Sequence, residues 1–304
     1  MFKIIKKRTR QGLSFIKRDE PALLTFLFHS IFENIEAIEK KHIAPQQQIT
    51  VDIYREFVEY FLNAGYKFIS PNDLDSLDSS GKYILSTFDD GYFNNSLVVP
   101  ILQEYKTPAV FFISTNNVIN NECFWWDVAF RELSKKNLSK KELSRELKKY
   151  KNLKHNEIVS SLKEKYGNNV FQPLSDIDRP FSIDELKSFA KEEFVHIGNH
   201  TKDHYILDNY SYDEQFANIA ENNNDLEKIL NIKPNIIAYP NGNYNKDTIS
   251  AAEKLDFKYG ITVKKHKNYL PLKSDINSKL TLGRYVLWGN ENLKMQCDTF
   301  RSDL

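Results

Sequence analysis

The sequence is poor in cysteine and has no long hydrophobic run. Its two cysteines, Cys123 and Cys297, are far apart among 304 residues. A disulfide framework and a thiolate zinc site are therefore excluded, and a reducing compartment is favoured. No stretch approaches the roughly 20 apolar residues that a membrane span needs. The basic N-terminus lacks the apolar core of a secretory signal, so we expect a cytoplasmic protein.

Aromatic residues, by contrast, are abundant. The chain has 21 Phe and 16 Tyr, and 41% of its residues are hydrophobic. This composition excludes a disordered chain and provides for a sizeable core. The length allows one large domain or two small ones, and we expect residues 1–304 to form a single domain.

Positive charge is concentrated in two segments. Residues 1–18 hold seven Lys/Arg and no acid, and residues 134–165 hold eleven Lys/Arg against four Glu, although the formal net charge is only +1. Both segments suit solvated basic faces, or else contact with an anionic membrane or a lipid-linked carrier at the inner membrane face. No nucleic-acid-binding motif accompanies the charge, so nucleic acid is not an expected partner.

Short apolar strand patterns alternate with helical patterns along most of the chain. This alternation predicts parallel βαβ units, and about seven strand candidates suit a barrel better than an open sheet. Residues 116–180 interrupt the pattern with a polar, Lys- and Asn-rich helical segment, interpreted as an insertion that covers the site. The strand candidates are 22–31, 67–70, 83–90, 108–115, 194–199, 235–242 and 259–263.

Polar clusters follow three of these strands, and one of them is an aspartate pair. Asp89 and Asp90 end an apolar run, where two adjacent carboxylates repel each other. His200 and His204 are four residues apart, so on a helical turn both imidazoles would reach one ion. Alone, either pair suits a simple turn or two solvated histidines. Together they predict a divalent metal held by one aspartate and two histidines, with the second aspartate free to take a proton from water.

Three motifs make the sequence similar to a known family. "TFDDG" at 87–91, "HTKDH" at 200–204 and "YPNG" at 239–242 resemble motifs of the polysaccharide deacetylases, carbohydrate esterase family 4, with a NodB-type domain. The resemblance implies a distorted (β/α)7 barrel, here with a helical insertion, and metal-dependent removal of an acyl group from a sugar. By position, Asp89 would be the general base, and the metal ligands would be Asp90, His200 and His204. Zinc is expected, and iron, cobalt, nickel or manganese would suit the same ligands.

The sequence departs from the family pattern at two places. Ala238 stands where the third motif supplies an arginine that helps to keep the base ionised, and Arg284 is the candidate replacement. The family's late histidine, which protonates the leaving group, is not evident. Some relatives look circularly permuted and use a histidine on the first strand, which makes His29 the candidate acid ahead of His266. His196 is expected to have a structural or supporting role.

Candidate substrate-binding residues come from the third motif, from the insertion and from the later "LTLGRYVL" segment that contains Arg284. They are Tyr239, Asn241, Gly242, Arg284 and Trp125. Trp125 belongs to an aromatic cluster at 121–130, which could stack on saccharide rings or anchor the insertion to the barrel.

The function predicted from these features is removal of an N-acetyl or N-formyl group from an amino sugar. A nucleotide-linked or lipid-linked saccharide, or a surface-polysaccharide precursor, agrees with the expected location. The alternatives are a non-catalytic carbohydrate-binding relative of the deacetylases and an esterase that acts on O-acetyl groups of sugars.

Overall fold

A computed structural model describes residues 19–136 and 138–302. Within these ranges, nine strands form one sheet in the order β7-β6-β5-β4-β3-β1-β8, with β2 beside β3 and β9 beside β1. The strands are β1 Ala22–Phe28, β2 Lys67–Phe68, β3 Lys82–Phe88, β4 Ala109–Ile113, β5 Val195–Asn199, β6 Ile236–Ala238, β7 Tyr259–Ile261, β8 Asn268–Tyr269 and β9 Tyr285–Val286.

Helices connect the strands and cover the outside of the sheet. In chain order they are α1 Ile35–Glu39, α2 Val51–Asn63, α3 Val99–Tyr105, α4 Thr115–Asn120, α5 Trp125–Ser134, α6 Lys140–Tyr150, α7 His155–Tyr166, α8 Ile183–Phe189, α9 Tyr212–Leu230, α10 Lys246–Lys254, α11 Ile276–Lys279 and α12 Leu293–Ser302. Capping boxes, in which a serine is followed three residues later by a glutamate, open α6 at Ser139, α8 at Ser182 and α9 at Ser211. A cap of this kind contributes about 1 kcal/mol.

The segment at 282–286 brings the first and last parallel strands together. The Leu282 N–H donates to Gly260 O on β7 at 2.9 Å, and the Thr262 N–H donates to Leu282 O at 3.0 Å. Further along the same segment, β9 pairs in parallel with β1. The sheet therefore curls into a distorted barrel of NodB type, which confirms the predicted fold class.

Side chains fill the interior of this barrel. Phe112 on β4 is fully buried there, with Leu85, Val110 and Ala238 in the same apolar cluster. Gly198 on β5 makes room for Phe112, because a Cβ atom at Gly198 would lie 2.3 Å from the ring. The barrel is thus a packed core, and a functional site has space only at its mouth.

The Phe-rich layer lies outside the sheet. Phe26 and Phe28 of β1 pack against Phe57 of α2, with ring centroids 4.8 and 5.1 Å apart. Phe88 stacks on Phe111 at 4.7 Å. These contacts hold β1, β3 and β4 side by side and fix the positions at which their carboxyl ends emerge.

Residues 116–180 contain most of α4 and all of α5–α7, which pack around a small apolar cluster of their own. The members of this cluster include Cys123, Trp125, Val128, Ala129, Tyr150, Ile158, Leu162, Val170 and Phe171. Description of residues 116–180 as an insertion within a single 1–304 domain stays a prediction.

Candidate metal and catalytic centre

The aspartate pair lies at the carboxyl end of β3. Asp89 donates its backbone N–H to Phe28 O on β1, and Asp90 O accepts from Ser114 N beyond β4. Asp90 and Gly91 have φ values of +81° and +95°, so the chain turns sharply as it leaves the strand. This left-handed stretch is uncommon for a non-glycine residue such as Asp90 and is typical of functional turns.

The two histidines lie on an irregular turn after β5, and the predicted helical turn is wrong. Thr201 and His204 both have left-handed φ values, +60° and +51°. The Asn199 side chain shapes the turn, because its Oδ1 accepts from the Thr201 N–H at 2.8 Å while its Nδ2 donates to Ile219 O of α9. A short polar turn, rather than i and i+4 helical spacing, therefore brings the imidazoles together.

Asp90, His200 and His204 converge on one point. Asp90 Oδ1 lies 3.4 Å from His200 Nε2 and 3.3 Å from His204 Nε2. One ligand atom from each residue lies within 4.8 Å of the others. These separations exceed ordinary hydrogen bonds, and both oxygens of the buried Asp90 lack a hydrogen-bond partner among the described residues. Such an uncompensated carboxylate beside two imidazoles fits a divalent cation.

His200 has the tautomer that a metal ligand requires. Its Nδ1 lies 2.8 Å from Ala238 O, and a carbonyl oxygen can only accept, so Nδ1 carries the proton. The Nε2 lone pair is then free to point toward Asp90. A backbone partner of this kind commonly orients a ligating histidine.

Burial would raise the pKa of Asp89, but Arg284 and the nearby histidines outweigh burial and hold that pKa below its ordinary value. Arg284 Nη1 and Nη2 donate to the two carboxylate oxygens at 2.7 and 2.8 Å. The Arg284 side chain is itself fully buried. A paired, buried carboxylate of this kind stays ionised and has a fixed orientation.

The pKa values of the three converging residues are shifted in different directions. Burial opposes ionisation of Asp90, but contacts with His200 and His204 bring its pKa below the ordinary value. Burial lowers the pKa of His204. Burial acts in the same direction on His200, but the adjacent carboxylates, Asp89 first, raise its pKa overall. An anionic aspartate with histidine nitrogens around it is the donor set that zinc prefers.

His29 lies just beyond the end of β1 and lines the same cavity as Asp90 and His204. Its Nδ1 lies 2.7 Å from Gln47 Oε1. Gln47 Nε2 donates to Leu27 O and to Leu287 O, so Gln47 Oε1 is an acceptor and His29 Nδ1 is the donor. His29 Nε2 is thereby left for exchange of a proton with a bound molecule.

The cavity above the centre has a volume of about 420 Å³ and largely apolar walls. Trp126 of α5 packs on His204, with ring centroids 4.3 Å apart. The Trp126 Nε1–H donates to the Tyr92 hydroxyl at 2.9 Å, and that hydroxyl donates to the buried Asp127 carboxylate. Helix α5 thus supplies part of the wall that holds His204.

The five predicted substrate-binding residues separate into two groups. Trp125 and Asn241 line the cavity, and Gly242 follows with a left-handed φ of +73°. The prediction is corrected for Tyr239, whose fully buried ring donates its hydroxyl hydrogen to Leu280 O. It is also corrected for Arg284, because a buried guanidinium bound to Asp89 presents no surface to a saccharide.

The other two histidines considered as functional residues lie outside the cluster. His266 is exposed in the segment after β7 and does not line the cavity above the metal centre. His196 is half-buried on β5, where burial lowers its pKa and the charge of Asp73 opposes that effect. Neither residue is among the converging ligands.

The basic segments give a mixed result. Residues 1–18 lie outside the described residues. Within 134–165, Lys149 pairs with Glu146, Lys154 with Glu214 and Lys163 with Glu122, so part of the positive charge is balanced locally. No helix in the described part of the chain is long and apolar enough to cross a bilayer. Contact with a membrane or lipid carrier stays a prediction.

Sequence reasoning missed Gln47 and Trp126. Gln47 lies in a run of three glutamines with no motif around it. Sequence analysis chose Trp125 over Trp126, although the 3.6-residue helical period means that adjacent side chains on α5 point in different directions. The ring planes of Trp125 and Trp126 are in fact at 83° to each other.

This protein has a curled, mainly parallel sheet with an Asp-Asp-His-His cluster at its mouth. Such a set of side chains is suited to metal-assisted hydrolysis. A sequence model of the family described as polysaccharide deacetylase matches residues 76–260. Since this match covers more than half of the chain, the chain belongs to the polysaccharide deacetylase family. The family consists of hydrolases that act on amide bonds of acetylated saccharides and generally depend on a divalent metal.

Individual relatives agree with this assignment. A candidate polysaccharide deacetylase of Bacillus subtilis (strain 168), YxkH, is 22% identical over 266 residues, which are 85% of this chain and 71% of YxkH. The Streptococcus pyogenes deacetylase PplD, solved with acetate, has a TM-score of 0.60 at 19% identity and aligns over 92% of this chain and 99% of its own. A de-N-acetylase of Aggregatibacter actinomycetemcomitans has a TM-score of 0.63 at 16% identity, over 91% and 99% of the two chains. At these identities the solved structures show a shared fold.

Proposed function

We propose that this protein is a metal-dependent deacylase that removes an N-acetyl or N-formyl group from an amino sugar. The observation that carries the proposal is that two adjacent aspartates, Asp89 and Asp90, have different surroundings. Asp90 faces His200 and His204, and neither of its oxygens has a hydrogen bond to a described residue, whereas Asp89 is held ionised by Arg284. One carboxylate is thus suited to a cation, and its neighbour is suited to accept a proton.

The divalent cation would be held by Asp90, His200 and His204, with zinc as the first expectation and iron, cobalt, nickel or manganese as alternatives. A cation bound there would lower the pKa of a water molecule and polarise the acyl carbonyl. Asp89 lies beside this position, with Oδ2 at 3.9 Å from His200 Nε2. We assign Asp89 as the base that takes the proton from the attacking water.

His29 is the proposed acid that protonates the departing amine. The Gln47 contact fixes His29 Nδ1 as the donor within the protein, so Nε2 is the atom that exchanges the catalytic proton. Gln47 in turn bonds to Leu27 O and Leu287 O, which keeps the imidazole in one orientation in the cavity. A positioned general acid contributes about 10²–10⁴-fold to a rate.

Replacement of His29 by alanine tests this assignment. We expect His29→Ala to lower kcat by about 10²-fold or more, because the leaving amine loses its proton donor. Metal content, measured by elemental analysis of the purified variant, should equal that of the wild type. His42→Ala is the matched control, since His42 bonds to Ser175 and does not line the cavity. Unchanged kcat in His29→Ala would remove His29 from the mechanism.

The acyl group and sugar are tested with the zinc-loaded protein. Release of acetate or formate is measured from N-acetyl and N-formyl amino sugars, presented free, nucleotide-linked and lipid-linked, with O-acetyl sugars in parallel. Release from N-acyl substrates supports the proposed function. Faster release from O-acetyl substrates would make the protein an esterase, and saccharide binding without any release would make it a non-catalytic relative.

A further inference from the structure

Lys151, at the end of α6, reaches the wall of the cavity above the metal centre. Leu147 and Lys151 both line this cavity, and because they are four residues apart they lie on the same face of the helix end. The Asn209 side chain donates to Lys151 O at 2.9 Å, and Lys151 Nζ donates to Asn241 Oδ1 at 2.5 Å. The ammonium is therefore held at a defined place in the cavity wall.

The hydrogen-bond partner of this ammonium is neutral. Asn241 Nδ2 donates to Asn243 Oδ1, so the atom that faces Lys151 is the amide oxygen of Asn241. Lys151 is exposed as a residue, but neighbouring side chains remove water from its ammonium and lower its pKa, and the charge of Lys148 acts in the same direction. An anion beside Lys151 would offset both effects.

Other lysines near the end of α6 are neutralised by glutamates. Lys149 Nζ lies 2.7 Å from Glu146 Oε2, and Lys154 Nζ lies 2.6 Å from Glu214 Oε1. Neither Lys149 nor Lys154 lines the cavity, whereas Lys151 does and forms no ion pair with a described carboxylate. A cation without a carboxylate partner thus faces the place where a substrate would bind.

The charges around the cavity also favour an anionic ligand. Among the described residues that line it, Asp90 is the only carboxylate. The charge of its neighbour Asp89 is balanced by the buried Arg284. A divalent cation would exceed the charge of Asp90 by one, and Lys151 adds a further positive charge. A largely apolar cavity with an excess of positive charge attracts anions.

We propose that Lys151 binds a phosphate group carried by the amino-sugar substrate. A lysine ammonium acts as a point charge that suits phosphate oxygens. The substrate class is thus an acylated amino sugar with a phosphate attached, rather than a neutral saccharide. A sugar phosphate, a sugar nucleotide and a lipid-diphosphate-linked sugar all present such oxygens. This inference rests on the proposed function, because the metal centre defines which sugar loses its acyl group.

The test measures binding by calorimetry on the zinc-loaded Asp89→Asn form, which should not turn over its ligands. The probes are N-acetylglucosamine and N-acetylglucosamine 1-phosphate, and the quantity compared is the ratio of their Kd values. Lys151→Gln removes the charge but keeps a donor for Asn241, and Lys151→Arg keeps the charge. Lys149→Gln is the matched control, since it removes one charge from the same helix end without altering the cavity wall.

We expect the sugar phosphate to bind more tightly than the sugar, and this preference to fall by about tenfold in Lys151→Gln, as for loss of one close charge pair at a protein surface. Lys151→Arg and Lys149→Gln should retain most of the preference. An unchanged preference in Lys151→Gln would overturn the inference, because the metal alone would then hold the phosphate. An equal loss in Lys149→Gln would also overturn it, in favour of a diffuse effect of the basic helix. No preference in the wild type, or no binding of either probe, would do the same.

Release of the acyl group separates failure of this inference from failure of the proposed function. Acetate release is measured from the two probes, from uridine-diphosphate-linked N-acetylglucosamine and from a lipid-diphosphate-linked form in detergent, and formate release from their N-formyl counterparts. The substrate with the largest Lys151-dependent kcat/KM identifies the source of the phosphate. Lys151-dependent binding without any release would support the phosphate site and refute the deacylase. Release from these sugars with no dependence on Lys151 would do the reverse.

Discussion

Asp89→Asn is expected to lower kcat by about 10²–10⁴-fold, the contribution of a positioned general base. The asparagine amide has nearly the shape of the carboxylate but cannot accept the proton from the attacking water. Because Asp90, His200 and His204 are untouched, metal content should equal that of the wild type. Acetate or formate release gives kcat, and elemental analysis of the same preparation gives the metal content.

Asp298→Asn is the control for this substitution. Asp298 lies on α12, where it pairs with Lys294 at the surface, so its replacement should leave both readouts unchanged. Wild-type activity in Asp89→Asn would mean that another group takes the proton. Loss of metal from Asp89→Asn would instead place Asp89 among the ligands, against the assignment made from its contact with Arg284.

Arg284→Met should have the largest effect on stability. It leaves the buried Asp89 carboxylate without its two strong hydrogen bonds, and removal of one partner from a buried ion pair typically costs about 3–5 kcal/mol. Part of this penalty is avoided if Asp89 takes up a proton, but the base is then lost. We therefore expect a lower free energy of unfolding, measured in urea, together with a strongly reduced kcat.

Two further variants keep this prediction testable if Arg284→Met folds poorly. The double variant Asp89→Asn/Arg284→Met has no buried carboxylate at this position, so it should be more stable than Arg284→Met alone. Arg55→Met is the matched control, since its partner Glu104 is half-exposed and a surface pair contributes about 0–1 kcal/mol. Equal stability losses in Arg55→Met and Arg284→Met would contradict the importance of the buried pair.

The fold was largely predictable because its signals are local. Short apolar runs marked the longer strands, and a serine followed by a glutamate three residues later precedes each of α6, α8 and α9. The segment 282–286, which closes the barrel, was not among the seven strand candidates. It has only a few strand residues, and its pairing with β7 and β1 depends on contacts distant in sequence.

The candidate site was predictable where adjacent residues carry the chemistry. The Asp89-Asp90 pair and the His200–His204 spacing were visible directly, and the structure brings Asp90, His200 and His204 to one point with Asp89 beside them. The turn that joins the histidines was not visible, because Asn199 shapes it through a bond to α9. Local spacing alone favoured a helix there, and tertiary contacts prevailed.

Residues supplied from distant parts of the chain were the least predictable. Arg284 was considered both as a cation for Asp89 and as a substrate contact, and only its burial separates the two roles. Gln47 meets His29 and the Leu287–Gly289 backbone through contacts that no sequence pattern marks.

A metal titration tests the central assignment most directly. Calorimetry of the metal-free protein with zinc should show one tight site per chain, and His200→Ala should abolish it. His196→Ala, on the strand that precedes His200 but outside the converging ligands, should keep it. Zinc binding of wild-type strength in His200→Ala, or no tight site in the wild type, would contradict a cation held jointly by Asp90, His200 and His204.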